Sequence, residues 1–395
     1  MIARQQPADG RSTARRPRSA PSPILIFGAG VRAAAWSALR SGWAPSCGDL
    51  FADRDLAEVC PARRIDPSRY PDDFLILAGE FPPLPWIYTG ALENRPDLIA
   101  AISRRHRLLG NAPDSLRAVR DPLALVEVVR ASGLDAPSVA IDPSEAPRDG
   151  SWLVKPLASG GGRGIRPWIG PDSPRLPSYY QERVEGTSLA ALYLAGQGES
   201  TCIGVTRQFV GRARNRFAYR GSLAPWPLRA ETRDRIDRLG RAVASAFGLV
   251  GLFGIDLIER EGRVWPIEVN PRYTASAEIL EWAQGRSLMA EHLRACGEPT
   301  FMPPWPGGAG LPVAAKAILF AGRECAWPEI DRDSLPELGR FPEIADIPDV
   351  GTRFRPGQPV VTVFASGGTI EGCRRALGDR LRGWRRRLVA VRPGC

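Results

Sequence analysis

Lysine and histidine are almost missing from this sequence of 395 residues. Two lysines, Lys155 and Lys316, stand against 51 arginines, and the histidines are His106 and His292 alone. So sparse a histidine set argues against a histidine-ligated metal centre and against a Ser-His-Asp hydrolase, both of which need the imidazole. The seven cysteines contain no C-x-x-C pair, so the common zinc and dithiol signatures are excluded. Nowhere does an apolar run approach the ~18 residues of a membrane span, which leaves no membrane partner to expect. An odd cysteine count and the lack of an apolar leader predict a cytoplasmic protein in a reducing compartment.

Arginine and proline are what the chain has in excess, a pattern that fits GC-rich coding, under which arginine replaces lysine wherever a generic surface cation will serve. Each surviving lysine therefore calls for a reason. The formal net charge of +10 first suggests a polyanionic partner. It is concentrated at the ends, however. Residues 1–22 carry +4 and residues 374–392 carry +7, which leaves the body between them at −1. Nucleic acid is therefore an unfavoured partner, and the basic ends read as solubilising. Neither composition nor pattern sets the oligomeric state, a homo-oligomer being one option.

With 44% hydrophobic and 24% charged residues, the body is globular and long enough for two or three domains. Residues 1–22 lack an apolar period and read as a disordered basic tail. From residue 23 to 112 the pattern is that of a small doubly wound α/β domain. Ile24-Leu25-Ile26-Phe27 is a strand, Gly28-Ala29-Gly30 a turn, and an alanine-rich helix follows. A second strand is expected at Leu50-Phe51-Ala52, ending on Asp53, and a third at residues 74–78. The turn reads Gly28-x-Gly30-x-x-Ala33, with Asp53 about twenty residues on, which is the dinucleotide fingerprint. An NAD-linked oxidoreductase is accordingly one alternative reading, and a non-enzymatic nucleic-acid binder using the basic ends is another.

Residues 113–300 form the next unit. A helix is predicted over residues 121–131, antiparallel strands around residues 201–223, and an amphipathic helix over residues 229–247 with Ile236, Leu239 and Val243 on one face. Residues 301–310, rich in proline and glycine, read as a linker. A C-terminal subdomain over 301–395 follows, with strands at 314–320 and 360–365 and an arginine-rich terminal helix.

Two segments carry chemistry. Lys155 ends a strand and is followed by the flexible run Ser159-Gly160-Gly161-Gly162-Arg163-Gly164. Such a loop can fold its amides over phosphates while the lysine reaches between them, although the order is not that of a Walker A motif. Further on, Gly254-Ile255-Asp256 and Ile267-Glu268-Val269-Asn270 lie on strands joined by a Glu261-Gly262 turn. Glu268 and Asn270 share a face, and an antiparallel neighbour can bring Asp256 beside them. Two carboxylates and an amide oxygen make a hard donor set suited to Mg2+. Arg272, next along, can hold a transferring phosphoryl group.

These pieces in this order resemble the ATP-grasp superfamily, over roughly residues 23–370. The resemblance implies an α/β and α+β architecture in which a Rossmann-like N-terminal domain precedes a two-lobed ATP-grasp domain. A small closing subdomain, similar to that of the biotin carboxylase branch, would follow. It also implies ATP and Mg2+ as cofactors. Lys155 and Arg272 would be catalytic, and Gly160, Gly161 and Gly162 would cover the phosphates. Glu182, Arg183 and Val184 would meet the adenine edge, Arg120 would be a further ATP-binding cation, and Asp256, Glu268 and Asn270 would be the metal ligands. The reaction implied is ligation of a small-molecule carboxylate to an amine through an acyl phosphate, giving ADP and phosphate. Histidine-bearing and biotin-associated features of the biotin carboxylase branch are not apparent. Where many members have an acid for the ribose, Gly186 is followed by Thr187 and Ser188.

Overall fold

A computed structural model describes residues 21–170, 174–196, 198–212, 215–299, 305–306, 308–331 and 335–390. The tail expected over 1–22 lies outside these apart from its last two residues, and so does half of the linker expected at 301–310.

The first domain is built as the glycine turn predicts. Ile24, Leu25, Ile26 and Phe27 are fully buried in β1 (Ser22–Gly28), as befits the centre of a parallel sheet covered on both faces. After it come α1 (Arg32–Arg40), β2 (Trp43–Asp49), α2 (Arg54–Ala57), β3 (Ala62–Arg64), α3 (Asp73–Gly79), β4 (Pro85–Tyr88), α4 (Pro96–Ser103) and β5 (Arg107–Leu108). The five strands are parallel, in the order β3-β2-β1-β4-β5.

Two expected strands are corrected here. Residues 74–78 are helical, within α3. Phe74, Leu77 and Ala78 are buried while Leu75 and Ile76 are 44% and 59% exposed, the spacing of a helix face rather than a strand. A five-residue apolar run fits either period, and the strand that fills this place is β4. The second strand ends at Asp49, not Asp53. Asp49 accepts the amides of Phe51 and Ala52, which turns the chain, with Ala52 at φ 50°, before Asp53 can join the strand.

Next come α5 (Pro113–Val119) and α6 (Pro122–Ala131), the latter capped by Asp121, whose carboxylate accepts the Leu123 and Ala124 amides. A four-stranded lobe follows, made of β6 (Val139–Ala140), β7 (Asp149–Pro156), β8 (Arg166–Ile169) and β9 (Ser178–Glu182), in the order β6-β9-β7-β8. The larger lobe contains β10 (Thr187–Gly196), β11 (Glu199–Arg212), β12 (Asn215–Ala224), α7 (Ala230–Phe247), β13 (Gly251–Arg260), β14 (Arg263–Asn270), α8 (Ala275–Gln284) and α9 (Leu288–Ala295). Ile236, Leu239 and Val243 are the buried face of α7, as their spacing predicts. The remaining elements are β15 (Val313–Phe320), β16 (Cys325–Ala326), β17 (Ile344–Ala345), β18 (Arg353–Phe354), β19 (Pro359–Gly367), α10 (Ile370–Arg387) and β20 (Val389–Ala390). Strands β15, β19 and β17 extend the large lobe's own sheet, giving the order β14-β13-β10-β11-β12-β15-β19-β17. No helix among the described residues is long and apolar enough to cross a membrane.

One core cluster joins the three segments. Ile24 and Ala34 of the first domain, Leu252 and Leu280 of the second, and Ala314 and Phe364 of the third are all buried in it. Burying a leucine-sized side chain stabilises by roughly 1.5–3 kcal/mol. Polar ties accompany the apolar ones. Arg32 on α1 and Lys316 on β15 both bond the buried Glu278 of α8, the lysine at 2.8 Å. This gives the second lysine its reason: it closes a buried triad that spans all three segments. Arg40 bonds Glu281 at 2.7 Å and lies over the rings of Trp282 and Trp305.

His292 adds another tie. It is buried, accepts the Leu252 amide on Nδ1 at 2.8 Å and donates from Nε2 to the Leu109 carbonyl at 3.0 Å, which requires the neutral ring. Burial pushes its pKa down to about 4, against the weaker upward pull of the Leu109 bond. The unfolded chain therefore takes up a proton near pH 6.5 that the folded chain refuses until about 4. Stability should fall by about 3 kcal/mol between those limits. Denaturant midpoints measured across this range should show the loss in the native sequence and a flatter profile in His292→Gln.

Candidate active site

The acidic pair is made by a hairpin with an irregularity in it. β13 and β14 are joined by Glu261 and Gly262, whose φ angles of 54° and 83° are those of a tight two-residue turn. Counting outward from such a turn, regular pairing would set Asp256 opposite Ile267 and Glu268 opposite Ile255, with the two acids on opposite faces. Instead Leu257 pairs with Pro266 and Asp256 with Glu268, so Ile267 is an extra, unpaired residue. This bulge puts Asp256 and Glu268 side by side and brings Asn270 opposite Gly254 on the same face. It also leaves the Ile267 carbonyl free of the ladder.

Lys155 takes that carbonyl. Its Nζ donates to Ile267 O at 2.8 Å and to Gln181 Oε1 at 3.0 Å. Gln181 sits on β9, opposite Leu153 of β7, so the small lobe presents the lysine and its amide partner together while the large lobe supplies the carbonyl. Lys155 is buried, and its ammonium stands 5.5 Å from the centre of the Tyr179 ring.

Asp256 accepts Gln208 Nε2 at 2.9 Å and Asn270 Nδ2 at 3.3 Å. Burial, and then the charge of Glu268, push its pKa up to about 7, against the pull of Arg272, Gln208 and Lys155. Two carboxylates and an amide held this close form an oxygen donor set that favours a small hard cation. Arg120 reaches Glu268 at 3.5 Å and the Leu157 carbonyl at 3.2 Å, so it stands where the lysine and the acids meet.

Arg272 is held from another domain. Its Nε donates to Glu93 Oε1 at 2.8 Å, and its outer nitrogen reaches Asn270 Oδ1 at 3.0 Å. Glu93 lies on the short 3-10 turn Leu92–Asn94 and is 1% exposed. Burial raises its pKa, but the adjacent guanidinium outweighs this and holds the carboxyl below its ordinary range.

These groups surround one cavity of about 480 Å3 between the lobes. Lys155, Gly161, Gly162, Glu182, Arg183, Val184, Asp256, Glu268, Asn270 and Arg272 all line it. Gly160 does not line it, and Arg120 borders the adjoining narrow recess along with Lys155 and Glu268. Gly162 needs to be glycine, since at φ 76° any Cβ would run into the Phe217 carbonyl. The segment after β9 is fixed by backbone bonds, Glu182 N to Ser138 O and Arg183 N to Ser151 O, both 2.8 Å. Sequence reasoning missed Gln181, Gln208 and Glu93. The two glutamines carry no motif, and the glutamate comes close only through the docking of the domains. Ser188, noted in place of an acid, donates to Gln208 Oε1 at 2.8 Å and so fixes the amide that holds Asp256.

The dinucleotide expectation is corrected. The helix N-terminus that a diphosphate would need is taken by the chain's own carboxylate, Asp49 Oδ2, which accepts the Val31 amide at 2.7 Å. Gly28 is small because Thr89 presses against it.

Residues 119–276 match the family described as ATP-grasp domain, and the chain carries an ATP-grasp domain there. The carbamoyl phosphate synthase large chain of Neisseria meningitidis serogroup A is 28% identical over 211 residues, 48% of this chain and 20% of that one. The formate-dependent phosphoribosylglycinamide formyltransferase of Methylococcus capsulatus is 33% identical over 122 residues, 30% of each chain. The match thus spans about a fifth to a third of these relatives' length. Among solved structures, an L-amino acid ligase from Bacillus licheniformis superposes with a TM-score of 0.67 at 16% identity, over 95% of this chain and 100% of that one. The biotin carboxylase domain of Hydrogenobacter thermophilus 2-oxoglutarate carboxylase, in complex with MgADP, ADP and bicarbonate, gives 0.69 at 13% identity, over 94% and 91%. The whole described chain therefore has the ATP-grasp fold.

Proposed function

We propose that this protein is an ATP- and Mg2+-dependent ligase that activates a small-molecule carboxylate as an acyl phosphate and joins it to an amine, forming ADP and phosphate. The observation that carries the reading is the convergence of Lys155, the Asp256–Glu268–Asn270 set and Arg272 on one interlobe cavity. Relatives and neighbours that are ligases of this general type support it.

In this reading Asp256, Glu268 and Asn270 hold magnesium, which shields the phosphates when bound. Lys155 and the loop at Gly161 and Gly162 hold the phosphates, Arg120 guards their far side, and the segment Glu182, Arg183 and Val184 meets the base. The substrate carboxylate attacks the γ-phosphorus, and Lys155 and Arg272 offset the charge that develops there. ADP leaves, and the amine, once it has given up its proton to solvent and is neutral, attacks the acyl carbon. The C–N bond forms, the C–O bond to phosphate breaks, and the remaining extra N–H proton leaves with phosphate or to solvent. Positioning and electrostatics suffice, so no protein nucleophile or histidine is needed.

ADP release measured with magnesium over pooled carboxylates and amines tests this. Release that requires one member of each pool is expected. No release from any pair, together with salt-dependent nucleic-acid binding or a change in nicotinamide absorbance, would overturn it.

A further inference from the structure

A second cavity, of about 400 Å3, opens beside the first, and Tyr219, Arg272, Thr274 and Ala275 line both. Its far wall is built from the Gly30 turn, the loop carrying Phe51 and Asp53, and the C-terminal segment around Asp346. Gly30, Ala33 and Asp53 of the fingerprint pattern thus line this space.

The charges around it do not balance internally. Each cation is already engaged: Arg272 by Glu93, Lys316 by Glu278, and Arg32 by Glu278 and, at 2.9 Å, by Asp346. Three of the nearby acids are engaged as well. Asp49 accepts the amides of Val31, Phe51 and Ala52, Asp55 accepts those of Asp346 and Ile347 at 3.0 Å each, and Asp346 accepts the Thr362 hydroxyl. The Asp53 carboxylate takes no hydrogen bond or ion pair from any described residue, and it lines the cavity. Asp49 at the end of β2, Asp55 on α2 and Asp346 after β17 face it, and Arg32 on α1 is the single cation among them. Burial and the first three raise its pKa to about 9, while Arg32 pulls the other way. A carboxyl so placed is satisfied by a positive charge brought from outside. Beside it the wall is apolar. Phe51, 54% exposed, stands out from the loop that Asp49 pins, with Ile318 and Val360 also lining the cavity.

We infer that this second cavity receives the amine substrate, and that the amine is amphipathic, its cationic nitrogen against Asp53 and its apolar body along Phe51, Ile318 and Val360. Only the word substrate rests on the ligase reading. The cation and the apolar body rest on the cavity itself. The raised pKa of Asp53 predicts that binding of an ammonium group beside it at pH 8 releases a proton.

Calorimetry on the full-length protein tests this with phenethylamine as probe, in pH 8 buffers of differing ionisation enthalpy. N-acetylphenethylamine, 3-phenylpropionate and methylamine serve as neutral, anionic and truncated comparators. Phenethylamine should bind at least tenfold more tightly than all three and release a proton. Asp53→Asn should weaken it at least tenfold and abolish the proton release. Phe51→Ala, at an exposed position, should weaken phenethylamine while leaving methylamine as it was, and it stands in if the Asp53 variant misfolds. Tighter binding of the anionic comparator, or phenethylamine binding indifferent to both substitutions, would overturn the inference. The two readings fail separately. Phenethylamine bound at Asp53 with no ADP release from any carboxylate counts against the ligase reading and supports the cavity assignment. Amine-dependent ADP release indifferent to Asp53→Asn does the reverse.

Discussion

Glu268→Gln should lower Mg2+-dependent ADP release by about 10²–10³-fold, the usual cost of losing a group that holds charge in place at a reacting centre. The physical basis is the bulge at Ile267, which sets this carboxylate against Asp256. Asp256→Asn should cost a similar amount, and the double variant little more than either, because the two act as one donor set. Stability should move the other way. Burial and then the charge of Glu268 push the Asp256 pKa upward, so removing the Glu268 carboxylate relieves repulsion in the empty site. The expected result is an enzyme that turns over poorly and melts no lower, or slightly higher, than the native chain. Coupled-assay rates and thermal melts on the same preparations check both halves. Near-native turnover in Glu268→Gln would remove the metal assignment, and a collapsed melt would mean that the residue serves the fold.

The largest stability loss is expected from Glu278→Ala. Glu278 is 2% exposed and bonds Arg32 on one side and Lys316 on the other. Burial alone would raise its pKa. The attraction of the two cations and their hydrogen bonds more than reverse this and hold it well below the ordinary carboxylate range. A depressed folded pKa means that the triad's contribution is complete above the unfolded value near 4.3 and is lost only in strong acid. Truncating the glutamate strands the buried Lys316 and leaves Arg32 with its Asp346 and Asp55 partners alone, and breaking a buried pair in this way costs about 3–5 kcal/mol. At about 2–4 °C per kcal/mol for domains of some two hundred residues, the melting temperature should fall by more than 5 °C. Replacing Glu278 and Lys316 together by leucine and methionine should recover part of the loss, since the stranded cation is removed and Arg32 keeps Asp346. A Glu278→Ala melt matching the native one would show that the triad adds nothing.

The sequence was most readable where local chemistry decides structure. The Lys155 loop, the Glu261-Gly262 turn and the apolar face of α7 each follow from residues within a few positions of one another. It was least readable where tertiary contacts decide. Residues 74–78 satisfied two periods at once, and only packing onto the sheet selected the helix. Asp53 had the spacing of a ribose-binding acid, but Asp49 took the end of the strand and turned the chain early. Glu93 could not be found at all, because nothing near it in sequence shows that a domain far along the chain will deliver Arg272 to it. Lys316 looked idle for the same reason: its partner sits on a helix 38 positions away.

The bulge in the β13–β14 hairpin makes the site sensitive to parity. Opposite positions across a regular two-residue turn enclose an even number of residues, whereas eleven separate Asp256 from Glu268. An odd separation is workable only if one residue steps out of phase, and the one that does, Ile267, is the one whose carbonyl seats Lys155. Deleting it would restore a regular ladder and keep the acids facing each other, yet leave the lysine without that acceptor. Deleting any residue of the turn instead would put the count right and the turn wrong. In this hairpin chain length is therefore itself a functional variable, and a gap of one position in a comparison with a relative carries more meaning than several substitutions nearby.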